Sequence, residues 1–273
     1  MKKLSLTLVA LFLANFIQAE IAPITGANTV GFVPLTVPAA ANTIITVPFE
    51  ACLGEGLSGV LADLVATNGL THSTDAAEAD QLVVLTTNNA DLVYYYYYNK
   101  TGDGWTPINT VKVVDGVEVE AVTPSAADEF ALSRGLGFWL KRVAGSEGTL
   151  YLKGQVADAD QVTPIKPGLN LIGYSALAEF TLNSKNWEGA YGSPDGDTSK
   201  SDRIIVANAN GSFSTYYYFV KPDNPAWDAY ASLDGKWITA GFALASTPIT
   251  AGRGFWYRRA VAQSAFNFEP DSN

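Results

Sequence analysis

Two octapeptides repeat one pattern along this chain: Gly135-Leu136-Gly137-Phe138-Trp139-Leu140-Lys141-Arg142 and Gly252-Arg253-Gly254-Phe255-Trp256-Tyr257-Arg258-Arg259. Each reads as a strand entry. The glycines free the backbone to turn or bulge, the Phe-Trp pair points to opposite faces, and two cations close the segment. A chain that carries this pattern twice is constrained to build one unit twice.

The residues upstream agree. Asp80 and Asp202, Asn88 and Asn210, Tyr94-Tyr95-Tyr96 and Tyr216-Tyr217-Tyr218, and Trp105 and Trp227 all fall at one constant separation. The octapeptides follow at a slightly shorter one. Further upstream, Pro167 to Tyr174 takes the place of Ala41 to Val47, and the joint falls near the small, polar Ala157-Asp158-Ala159-Asp160. The expected units are therefore residues 20–157 and 158–273.

Within the first unit, Ala27 to Pro38 alternates apolar and small residues and is interrupted by prolines, as an edge strand is. Asn42 to Phe49 is β-branched and dense, which suits a buried strand. Asp80 to Leu85 and Asp91 to Tyr98 flank Thr86-Thr87-Asn88-Asn89-Ala90 as a hairpin, and Val111 to Val122 makes another around Asp115-Gly116. Leu57, Val60, Leu61, Leu64 and Val65 recur at helical spacing up to Asn68-Gly69 and predict one short helix. The class is all-β: two tandem homologous β-sandwich-like units, either side by side or sharing one sheet system across a pseudo-twofold axis. Two copies are too few for a solenoid or propeller. An outer-membrane barrel is the competing all-β architecture, and the prolines in its would-be strands stand against it.

Export is expected. Lys2 and Lys3 precede a segment, Leu4 to Ile17, that is apolar apart from Ser5, Thr7 and Asn15, and Ile17-Gln18-Ala19 offers a cleavage site. That makes residues 1–19 a signal peptide. At 1.5 Å per residue the apolar run falls short of a bilayer core of about 30 Å. The expected destination is the cell surface, the extracellular space or the periplasm, with no membrane span after cleavage.

The formal net charge of −10 argues against a nucleic-acid partner, which rewards clustered Lys and Arg. Cys52 is the sole cysteine and His72 the sole histidine, so no internal disulfide and no Cys/His zinc site can form. Cys52 lies in an apolar-leaning segment and reads as a buried, inert thiol. A Ser-His-Asp triad would have to use His72, which sits in a polar loop. No cofactor-binding pattern is present.

The combination of Asp-x-Ile/Leu-x-Val, a tyrosine-rich strand, a tryptophan and Gly-x-Gly-Phe-Trp resembles exported, duplicated β-rich proteins of Verrucomicrobia and related bacteria. The resemblance spans most of the chain after residue 19. It implies a bacterial, exported protein and brings no activity with it.

Three chemistries remain. Asp80 and Asp202, at matching places, are the first carboxylates to consider as a glycosidase-like acid and base, although each opens a strand where Asp commonly caps a turn. Asp195 and Asp197, in Ser193-Pro194-Asp195-Gly196-Asp197-Thr198-Ser199, resemble a fragment of a calcium loop without its downstream Glu. The aromatics are the stronger lead. Tyr94, Tyr96 and Tyr98 share one strand face, and with Trp105, Tyr216, Tyr218 and Trp227 they are the expected contact surface. Trp105, Trp187, Trp227 and Trp237 are the residues that would stack on sugar rings. Arg142 and Arg259 are expected to stack or ion-pair locally. The expectation is a non-enzymatic structural or interaction protein of the cell surface or matrix, binding protein or its own copies. A carbohydrate-binding protein is the rival, and a glycan-active enzyme the third reading.

Overall fold

A computed structural model of the chain describes residues 30–46, 48–49, 51–52, 70–85, 93–99, 104–108, 110–114, 117–122, 134–135, 137–143, 147–156, 162–173, 179–208, 210–260 and 263–268. The signal segment, the helix predicted at residues 57–65 and the hairpin turns at 86–90 and 115–116 lie outside these residues, as does the Cys52 side chain.

The class is all-β, with strands numbered here in chain order. In the first half, β1 (Val30–Val37) and β3 (Ala51–Cys52) flank β10 (Gly148–Gln155) in one sheet. A five-stranded sheet runs in the order β2 (Asn42–Thr46), β9 (Gly137–Lys141), β4 (Gln81–Leu85), β5 (Val93–Asn99), β6 (Gly104–Ile108). β7 (Thr110–Val114) and β8 (Val117–Val122) pair with each other around the predicted turn. In the second half, β11 (Thr163–Ile165) pairs with β19 (Phe266–Phe268), and β13 (Phe180–Thr181) with β17 (Pro248–Ile249). The second five-stranded sheet runs β12 (Gly168–Gly173), β18 (Gly254–Arg259), β14 (Arg203–Ala207), β15 (Phe213–Phe219), β16 (Lys236–Ile238). The two five-stranded sheets thus have the same strand order, with the Gly-x-Gly-Phe-Trp strand second in each.

Pairing registers correct two of the expected correspondences. Leu82 in β4 faces Tyr96, and Ile204 in β14 faces Tyr216, so Tyr96-Tyr97-Tyr98 match Tyr216-Tyr217-Tyr218. The shift from Tyr94–Tyr96 is two residues, which matches the longer β4–β5 connection. Tyr98 then faces Trp105, whereas Tyr218 faces Trp237. Trp237, not Trp227, therefore holds in the second sheet the pairing position that Trp105 holds in the first. Residues 220–235 interpose a nine-residue 3-10 helix, Pro225–Leu233, between β15 and β16, and Trp227 lies in it. Asn224 caps that helix by accepting the Ala226 N–H, and Pro225 opens it with its φ already set. The remaining helical turns among the described residues, Ala76–Glu78, Leu182–Ser184 and Thr198–Lys200, span three residues each. Among the described residues, no helix is long and apolar enough to cross a membrane.

β1 is an edge strand, as its sequence predicts. Its outward positions include Thr36, whose carbonyl points away from β10 and accepts from Arg253, and two residues earlier Pro34 places its missing N–H in the same direction. Its alternate residues Val33, Leu35 and Val37 are buried against Ile45, Leu82, Phe138 and Leu140 of the five-stranded sheet, with Leu150 and Leu152 from β10. A second cluster fills the other half around Trp187, Trp237, Phe255 and Tyr257.

A third, small cluster joins the halves: Ile44 and Leu171 are buried, with Trp139, Trp256 and Ala207 packed against them. The joint is self-complementary. Ile44 pairs with Trp139 in one sheet and Leu171 with Trp256 in the other, and the two tryptophan rings approach to 6.0 Å between centroids. The Thr46 N–H donates to the Gly252 carbonyl, and the Gly173 N–H donates to the Gly135 carbonyl, each at 2.9 Å. A Cβ added to Gly137 would lie 2.7 Å from Leu171, and one added to Gly254 would lie 2.7 Å from Ile44. These ring, main-chain and glycine contacts are each returned in the other direction, as at an isologous twofold interface, while among the described residues the Ile45–Arg253 bridge and the Trp139–Phe213 contact run one way only.

Candidate functional site

The octapeptide strands do not end in solvent. Phe138 and Phe255 are fully buried in their own cores, while Trp139 and Trp256 turn the other way into the joint. Gly135 and Gly252 adopt φ of 78° and 76°, the left-handed region that glycine enters without steric cost. At the far end, Arg142 and Arg259 fold back into the protein, 3 % and 4 % exposed.

Each meets an aspartate that the sequence places at the start of a strand. Asp80 Oδ2 lies 3.3 Å from Arg142 Nε, and Asp202 Oδ2 accepts from Arg259 Nη1. Backbone donors complete both carboxylates: Val143 N–H at 2.8 Å and Thr71 N–H at 3.0 Å on Asp80, Ala260 N–H at 2.7 Å and Tyr191 N–H at 2.9 Å on Asp202. Both aspartates are 0 % exposed. Neither role weighed for them from the sequence holds. A catalytic acid and base must face a substrate cleft, and these two carboxylates are sealed in separate halves. Nor does either cap a turn of its own strand; each ties a loop and the end of the motif strand to the sheet through a buried ion pair.

Tyr257 adds a donor that the first half lacks, since Leu140 holds the matching place. Its hydroxyl donates to Asp202 Oδ2 at 2.6 Å. Burial, and next the Asp202 charge, hold the phenol well above its ordinary pKa. The sign follows. A folded-state pKa above the unfolded value of about 10 gives stability that is complete below pH ~10 and is lost as pH rises beyond it. At pH 7, Tyr257→Phe should cost about 1.5–3 kcal/mol, the worth of a hydrogen bond to a charged group. Urea midpoints of wild type and variant should converge as the pH is raised above 10, and a gap unchanged at pH 11 would contradict this.

The aromatic residues divide. Trp105 and Tyr216, each 4 % exposed, face the core and offer no contact surface. Trp187 and Trp237 are equally unavailable to a sugar. Trp187 stacks on Phe268 at 4.2 Å and 10°, packs edge-on to Trp237 at 5.2 Å, and donates its indole N–H to the Leu182 carbonyl. The side chains of Tyr94, Tyr96 and Tyr98 lie outside the described residues. Tyr218 is half-buried against Trp237.

Asp195 and Asp197 are occupied by their own loop. Lys200 Nζ lies 2.6 Å from Asp195 and 3.4 Å from Asp197, where a calcium ion would have to sit, and its hydrogen bond holds the Asp195 carboxyl well below the usual range. Asp197 caps the turn Thr198–Lys200 through the Ser199 N–H at 2.9 Å. Among the described residues, no group of three or more His, Cys, Asp or Glu side chains is placed to hold a metal.

Trp227 belongs to a cluster that its sequence position does not announce. Its ring lies 5.7 Å from both Tyr230 and Phe242, Tyr230 lies 4.9 Å from Phe242, and Trp227 and Phe242 rest on the buried Phe219. Trp227 and Phe242 are half-buried, Tyr230 is 37 % exposed, and nearby Leu244 is 51 % exposed. Phe242 holds φ of 56°, a conformation that bulky residues rarely adopt and that costs on the order of 1–3 kcal/mol. The bonds Thr239 N–H to Ala243 O and Phe242 N–H to Thr239 O keep the loop in that shape. On the other side, Gly196 presses on Trp227 so closely that a Cβ there would lie 2.8 Å from the indole. The result is a fixed aromatic knob with a wet outer edge. Composition predicts surplus aromatics, but only the fold shows that these come together at the surface.

Compared with known protein families, with curated proteins and with solved structures, the chain matches none.

Proposed function

We propose that this chain is an exported, non-enzymatic interaction protein, built by tandem duplication of a β-sandwich-like unit, that works at the cell surface or in the matrix through protein contacts, including contacts between its own copies. The duplication reading is supported by the shared strand order of the two five-stranded sheets and by the reciprocal contacts at their joint. The observation that carries the functional reading is the Trp227–Tyr230–Phe242 cluster. A non-glycine residue held in a strained conformation, with its neighbours left half-exposed, is a surface kept for contact rather than for packing. The rings tilt at 44–53° to one another, so they form a ridge that fits a protein groove better than a flat sugar platform.

Light scattering of the chain freed of residues 1–19 tests this. Association that rises with concentration is expected, and Tyr230→Ser with Leu244→Ser should abolish it while the urea midpoint moves little. A monomer at all concentrations that is also retained on a polysaccharide column, with retention lost in Tyr230→Ala, would replace this reading with a carbohydrate-binding one.

A further inference from the structure

Between the halves, β1 looks across a half-open cleft of about 400 Å³ toward β14 and β17. That volume lies within the range of small-ligand sites, about 300–1,000 Å³. In a chain with 27 acidic and 17 basic side chains, the lining is exceptional: it contains no acid and a single charge, Arg253. The lining also includes Thr36, Thr247, Thr250 and Asn208, with Pro34 and Pro248 supplying apolar walls. The Asn208 amide N–H groups are taken by Ser212 and Ser214, and the Thr247 hydroxyl accepts from Tyr216 while keeping its own proton to donate.

Arg253 is half-buried, and one of its five N–H donors is bonded to the Thr36 carbonyl. No carboxylate among the described residues lies within ion-pair distance of it. Burial alone holds its pKa below the usual arginine range, the mark of a cation short of a counter-charge. The frame does not require arginine at this position. The first octapeptide has Leu136 between the same two glycines, so the charge is peculiar to the second copy.

We propose that this cleft binds a hydroxylated monocarboxylate the size of one sugar acid, its carboxylate gripped by Arg253 and its hydroxyls by the threonines. The guanidinium fork matches a carboxylate in two parallel hydrogen bonds. One cation balances one negative charge, whereas a dianionic phosphate would keep a charge unmatched against an acidic protein. Neutral hydroxyl side chains suit the hydroxyls of such a ligand. This site is separate from the aromatic ridge, and either assignment can fail without the other.

Calorimetric titration of the full chain with sodium glucuronate, glucose and inorganic phosphate decides it. Glucuronate should bind, with glucose and phosphate each weaker by on the order of ten-fold or more. Arg253→Leu, which installs the residue of the first copy, should reduce glucuronate binding to the level of glucose, and Arg253→Lys should keep part of it. If Arg253→Leu fails to fold, the wild-type preference for glucuronate over glucose and its weakening by the exposed-site variant Thr250→Val carry the test. The proposal is overturned by equal binding of glucuronate and glucose, by tighter binding of phosphate, by glucuronate binding that survives in Arg253→Leu, or by no glucuronate binding to the folded wild type. In the last case Arg253 is only a tether to β1.

Discussion

Asp202→Ala should lower the unfolding free energy by about 3–5 kcal/mol, a large share of the 5–15 kcal/mol typical of a folded protein. The change leaves Arg259 charged and 4 % exposed without its carboxylate, and it also strips the acceptor from the Tyr257 hydroxyl and from the Tyr191 and Ala260 N–H groups. Among the described residues, the Arg259 cation would retain the Gly189 and Ser264 carbonyls and the face of Phe266, 4.8 Å away. Asp80→Ala should cost less, because no tyrosine donates to that carboxylate among its described contacts. The orphaned charge, rather than loss of the pair itself, sets the size of the effect. Asp202→Leu combined with Arg259→Met should therefore recover much of the loss. Urea unfolding of the three variants measures this, and a loss below about 1 kcal/mol in Asp202→Ala would show that the pair is not a structural clasp.

Gly173→Ala should be the second most damaging single change, costing about 3 kcal/mol or more, at or above the upper end for overpacked sites. The added methyl would overlap Thr46 Oγ1 and come within 2.6 Å of the Gly135 carbonyl oxygen. Rotating the threonine would move its hydroxyl but not its Cβ, 2.7 Å from the new methyl, and the carbonyl is main chain and already accepts the Gly173 N–H. Gly254→Ala meets the same problem more mildly, at 2.7 Å from Ile44 and 3.0 Å from the Ile172 carbonyl oxygen. Gly211→Ala is the control for steric crowding: its Cβ would meet only Ala41 at 3.7 Å, although its φ of 79° adds a backbone cost of its own. A Gly173→Ala protein that melts within a degree or two of wild type would mean that the joint between the halves is soft.

Much of the sheet architecture is legible because it depends on local pattern. The β4–β5 and β7–β8 hairpins, the proline-marked edge strand β1 and both octapeptide strands lie where alternation and turn residues put them. The candidate surface is not legible. Trp227 matches Trp105 by spacing alone, and the 3-10 helix that carries it is an insertion with no helical period to announce it. The aspartate–arginine pairs span 62 and 57 residues and cannot be read from neighbours. A usable signal is nonetheless present: Asp80 and Asp202 recur in step with Arg142 and Arg259, and two charges that recur together are candidates to meet. The Asp195–Asp197 loop misleads for a related reason, because the cation it holds is Lys200, five residues from Asp195 and outside the stretch that looks like a metal loop.

The two bonds that close the joint, Thr46 to Gly252 and Gly173 to Gly135, run from peptide to peptide. A seam sewn with main-chain thread does not depend on what the flanking side chains become, provided the glycines that let the strands approach are kept. Outer residues can then differ between the halves while the two sheets stay in register, as Leu136 and Arg253 do between their flanking glycines.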